Sequence, residues 1–105
     1  MGGVQCEIST WVTWNREGHE CAAMQFDLAR VLPYVPMPGS NVLVNVRGTH
    51  GHVDRSLEVV SVDFRLTDGI TEICLGPVRA TSETDFYALV AELKDHGWKE
   101  EMIHV

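Results

Sequence analysis

Two histidines, His50 and His52, followed by Asp54, give the string with the most chemical potential, Thr49-His50-Gly51-His52-Val53-Asp54. Two imidazoles and a carboxylate are ligand types for zinc or iron, and one more ligand from elsewhere in the fold would complete a metal-assisted site. The bland alternative is a surface loop carrying titratable histidines. The surroundings favour that alternative, because His19, Cys21, Cys74, His96 and His104 recur at no spacing that specifies a structural zinc site. Cys21, beside His19 and Glu20, offers a thiol, a base and a carboxylate. Catalytic groups usually meet from separate elements, however, and residues 20 and 21 of a strand point to opposite faces. A buried structural thiol is therefore expected at Cys21. For acid–base work Asp54, Glu58, Asp63 and Glu72 are available, and Asp63 and Glu72 are placed to lie across a hairpin.

The histidine string resembles the front of the His-x-His-x-Asp-His motif of metallo-β-lactamase-fold hydrolases. Arg55 stands where that family has its next histidine, and the chain is far too short for that fold. A His-x-His pair on a β-rich chain is also similar to cupins, but no further Glu and His ligand pair can be assigned. No glycine pattern matches a dinucleotide or phosphate loop, so no cofactor is expected.

The chain is acidic, with 15 Asp and Glu against 8 Lys and Arg and a net charge of −7. Residues 1–52 contribute −1 (three Arg against four acids), and residues 53–105 contribute −6 (five bases against eleven acids). A phosphate backbone requires clustered cations. Direct nucleic-acid binding and attraction to anionic lipid are thus disfavoured, whereas a basic protein partner suits the charge. There is no signal-like or spanning apolar run. Three cysteines at wide spacing read as free thiols with apolar neighbours, expected in the core of a cytoplasmic protein.

Length places 105 residues within one domain, 1–105. Residues 6–14 alternate with period two, Cys6, Ile8, Thr10, Val12 and Trp14 on one side, and read as a strand. Asn15-Arg16-Glu17-Gly18 is a reversal. Residues 20–30 return, with Ala22, Met24, Phe26 and Leu28 sharing a face, although Met24, Leu28, Val31 and Leu32 also suit a helical stripe. Three prolines make 33–39 a connector. Ser40–Arg47 is a strand and 48–52 a loop. A hairpin over 57–75 turns at Thr67-Asp68-Gly69, with Val60, Val62, Phe64 and Leu66 on one face and Val59, Ser61, Asp63 and Arg65 on the other. Ser82 caps a helix of about twelve residues whose stripe is Phe86, Leu89, Val90 and Leu93. Gly97 ends it, and Trp98 can pack back. Residues 98–105 suit a last edge strand.

The expected fold class is α+β: a small, mostly antiparallel sheet of four to six strands with the C-terminal helix on one face, a small β-barrel capped by the helix being the alternative. Trp11 and Trp14 face opposite sides of their strand, so at least one is a candidate interface anchor, joined by Tyr34 and Met37 of the connector. The expected function is a small acidic cytoplasmic protein-interaction module (a regulator, inhibitor or accessory subunit) that binds another protein or itself as a homodimer. The competing expectation is a small enzyme or ligand-binding domain with a site near His50 and His52.

Overall fold

A computed structural model describes residues 2–48 and 51–101, those at 45–48 and 51–54 by backbone alone. The elements run β1 (Val4–Arg16), β2 (His19–Leu32), β3 (Asn41–Gly48), β4 (Gly51–Phe64), β5 (Thr71–Leu75), β6 (Val78–Ala80), α1 (Glu83–Asp95) and β7 (Lys99–Glu100). One sheet holds all seven strands in the order β3-β4-β5-β1-β2-β7, with β6 also paired to β1. Since β5 and β6 lie parallel to successive stretches of β1, the sheet is six positions wide. Every other pairing is antiparallel. The sheet is not closed, so the α+β expectation holds and the capped barrel does not.

Residues 20–32 are strand. Even-numbered residues of β2 join those of β1 on one face, and Thr10 stands opposite Phe26. That face carries the core: Cys6, Val12, Phe26, Leu57, Val59, Ile73, Leu75 and Val78 with the helix residues Phe86, Leu89, Val90 and Leu93. Thr10 is buried there without penalty because its hydroxyl donates to the Gly76 carbonyl at 2.8 Å, where Gly76-Pro77 interrupts the strand between β5 and β6.

The first hairpin turns tighter and later than the sequence pattern implies. Arg16 pairs with His19, and Glu17 (φ 52°) and Gly18 (φ 80°) are the two left-handed loop residues. A type I′ geometry matches the twist of the strands but favours Asn-Gly. Glu17→Asn is expected to stabilise the fold by about 0.5–1 kcal/mol, as urea denaturation would show.

Two register features alter the expected faces. Between Trp14 and Asn15 the pairing slips, passing over Cys21. That thiol is exposed rather than buried. In β4 the register shifts between Val59 and Ser61, which turns Val60 out to solvent (60% exposed) and Val59 into the core. Adjacent valines leave this phase ambiguous in sequence, and the bulge decides it against the expected grouping. Val62 remains on the core side, while Phe64 and Leu66 are exposed at the strand's end. β4 also begins at Gly51, earlier than expected, with Gly48 opposite Gly51 and Arg47 opposite His52.

Helix α1 starts as its sequence dictates. Ser82 accepts from the Asp85 N–H (3.1 Å), and Asp85 accepts from the Thr81 N–H (2.9 Å) and hydroxyl (3.2 Å). It ends in a Schellman motif: Trp98 N–H reaches the Leu93 carbonyl (3.0 Å), Gly97 N–H the Lys94 carbonyl (3.2 Å), and Gly97 takes φ 90°. Trp98 is buried as expected. The helix packs against β1, β3, β6 and β7, and it carries the chain from β6, paired to β1, to the edge strand β7, paired to β2. Among the described residues no helix is long and apolar enough to cross a membrane.

Candidate functional site: an acidic open sheet face

Alternation that sends even-numbered residues of β1 and β2 into the core sends odd-numbered ones to the opposite face, which no helix among the described residues covers. Register aligns Glu7 with Glu72 and Ser9 with Cys74 across β1 and β5. On the other side Ser9 faces Asp27 and Trp11 faces Gln25. Glu101 joins them because its N–H bonds the Gln25 carbonyl (3.0 Å). The result is a polar depression of about 210 Å³ lined by Glu7, Ser9, Gln25, Asp27, Glu72, Cys74 and Glu101. Its lining holds four carboxylates and no cation.

Arg65 reaches this lining from the β4–β5 turn. Its guanidinium pairs with Glu72 (2.9 Å), Glu7 (3.4 Å) and Asp68 (2.8 Å). The hydrogen bond from Arg65 holds the Asp68 carboxyl below its usual range. Asp63 lies opposite Glu72 in register, as expected from sequence. Lys99 lies opposite Asp27, at the edge. Arg79 stands beyond Trp11, opposite Thr13. At the base of the depression the Ser9 hydroxyl donates to the Cys74 sulfur at 3.4 Å.

Asp27 is the perturbed group. Burial first, then its hydrogen bond to Glu101 and the Glu101 charge, with Glu7 adding and Gln25 opposing, push it from 3.8 up to about 6. A raised carboxyl favours the folded state while protonated. Its contribution is full below pH 3.8 and lost as pH rises through about 6. Much of the group is open to water, so the loss is discounted to about 1 kcal/mol. Denaturation midpoints are expected to fall between pH 4 and pH 7 by that amount, and Asp27→Asn is expected to flatten this part of the profile.

Of the residues singled out from sequence, Trp11 lies on this face, 36% exposed, beside Ser9 and Gln25. Trp14 lies on the other face, packed at the margin of the core. Tyr34 and Met37 are exposed in the connector (72% and 75%). Leu32, the last residue of β2, pairs with Val4, so Tyr34 and Trp11 are separated by roughly 20 Å of strand. His50 lies outside the described residues, and so do the side chains of His52 and Asp54. Among the described residues no group of three or more His, Cys, Asp and Glu is placed to hold a metal. His19, Glu20 and Cys21 are all exposed, and the Cys21 thiol is directed to the His19 carbonyl (3.6 Å), not to a base.

Sequence reasoning did not find the depression, since Glu7, Asp27, Glu72 and Glu101 come from four separate segments. The β1–β2 hairpin sets Asp27 beside Ser9, the bond from Glu101 to Gln25 brings in the third carboxylate, and the parallel placement of β5 beside β1, invisible to local pattern, adds Glu72. No family model, no curated protein and no solved structure matches the chain.

Proposed function

We propose that this protein is a small acidic interaction module of the cytoplasm, acting as a regulator, inhibitor or accessory subunit. It receives a basic segment of a partner protein across the open sheet face. One observation carries the reading: four carboxylates line a single depression on an uncovered face, and Arg65 at the rim pairs with two of them. An Arg or Lys side chain placed there lets Asp27 and Glu101 ionise together, so binding recovers the free energy that the crowded carboxylates cost. Trp11 adjoins the depression and supplies an aromatic surface for the stem or guanidinium of the same segment. A second copy is the weaker occupant of this face, because two acidic faces repel; pairing of edge strands would leave the face free.

Titration with an arginine-rich peptide tests the reading. Saturable binding that weakens with added salt is expected, reduced at least about tenfold by combined Glu7→Gln, Asp27→Asn and Glu101→Gln. Binding that ignores those three substitutions, or equal binding of a size-matched acidic peptide, would sink it.

A further inference from the structure

A second cavity lies on the opposite, helix-bearing face, where the connector crosses the end of the core. Residues 33–40 must carry the chain from β2 past β1, β5 and β4 to β3, about 19 Å at ordinary strand spacing. Eight residues reach at most about 26–29 Å when fully extended, so the strap covers this distance with room for the turn in which the Ser40 N–H bonds the Met37 carbonyl (3.1 Å). Beneath this strap is a cavity of about 470 Å³, within the range of small-molecule sites. Its wall is apolar: Ile8, Leu28, Leu32, Val42, Ile73 and Leu75 all contribute. Pro36 of the strap and Trp98 after the helix also line it.

Two polar side chains join this lining, Arg30 and His96. The His96 ring is tethered at Nδ1 to the Glu92 carbonyl (2.9 Å). Arg30 donates to the Ala29 carbonyl (3.1 Å) and pairs with no carboxylate among the described residues. Arg16, Arg55, Arg79 and Lys99 are likewise without an ion pair among the described residues, and what sets Arg30 apart is its place at the lip of an apolar cavity. A planar cation beside an apolar hollow is matched by a ligand with an apolar body and a planar anionic end. The chain's own last described residue, Glu101, is bonded to Gln25, away from the Leu28–Leu32 end of β2 that lines the cavity.

We propose that this cavity binds a small amphipathic carboxylate, its hydrocarbon chain among Ile8, Leu28, Val42 and Ile73 and its carboxylate on Arg30. The apolar cavity lies on the other side of the sheet from the acidic depression, and Arg30, which also borders Glu7 and Asp27 around the strand edge, is the cation at its lining.

Calorimetric titration of the full chain with hexanoate, octanoate and decanoate, below their micellar range, tests the proposal, with decanol and a decyl trimethylammonium salt alongside. Affinity is expected to rise about fourfold per added methylene. Decanoate is expected to exceed decanol about tenfold or more, and Arg30→Gln to remove that advantage while leaving decanol binding unchanged. Arg30 is exposed, so the variant is expected to fold, and its thermal melt checks this. Three results overturn the proposal: no saturable binding of decanoate, the ammonium salt binding as tightly as decanoate, or an Arg30→Gln variant that keeps the full preference for decanoate. Methyl shifts on decanoate binding are expected at Val42 and Ile73; shifts confined to the Trp11 face would also overturn it.

Discussion

Phe26→Ala is expected to lower the unfolding free energy by about 3–5 kcal/mol, read as a fall in the urea midpoint with little change in slope. Phe26 is wholly buried, opposite Thr10 on β1 and next to Glu100 of β7 in register. Removing its ring leaves a void at the centre of three strands. Hydrogen-bonded backbones on both sides limit how far the site can collapse, which puts the loss at the upper part of the large-to-small range. Val31→Ala in the same strand is the control, because Val31 is 66% exposed and its loss is expected to stay within about 0.5 kcal/mol. A small effect at Phe26 would show that the face assigned to the core is the wrong one. The neighbouring residue would then change sides too, since Asp27 reaches the acidic depression only because Phe26 points the other way.

That coupling explains what was legible in the sequence. Period-two alternation in β1 and β2 assigned Cys6, Val12, Phe26 and Leu28 to one face, and the helix was readable down to its caps, because Ser82, Asp85, Gly97 and Trp98 act through bonds at most five residues long. Local chemistry of that kind is written in local spacing. Bulges are not: the shifts near Trp14 and Val60 are set by strands pairing over a distance, and they moved Cys21 to the surface and Val59 into the core. Cys74 shows the same limit, since its exposure depends on which side of β5 the helix covers. The candidate site was the least legible part. Its four carboxylates are unremarkable singly, and their convergence follows from strand order alone, while the eye-catching histidine string contributed nothing that the described side chains bear on.

Asp85→Ala is the complementary loss, expected to cost about 3 kcal/mol although it removes a charge from an already acidic chain. The carboxylate is 1% exposed and accepts from both the backbone and the hydroxyl of Thr81 while its own N–H is held by Ser82. Alanine would leave the Thr81 donors without their acceptor at the start of the helix and remove a negative charge from the positive end of its dipole. Asp85→Asn keeps an oxygen that can accept from both Thr81 donors, as a single carboxylate oxygen does in the parent, but loses the charge at the helix start, so an intermediate loss is expected. Thermal melts of the two variants give the order, Ala below Asn below the parent. The contrast with Asp27→Asn separates fold from function in a single residue type. At pH 7 the open-face carboxyl is expected to destabilise the free protein and the buried one to stabilise it. Neutralising Asp27 should therefore raise the melting temperature while weakening a cationic partner, and neutralising Asp85 should lower it with the face left intact. If both substitutions shifted the melt downward alike, the open face would be a structural element, and the proposed recognition of a basic segment would lose its energetic basis.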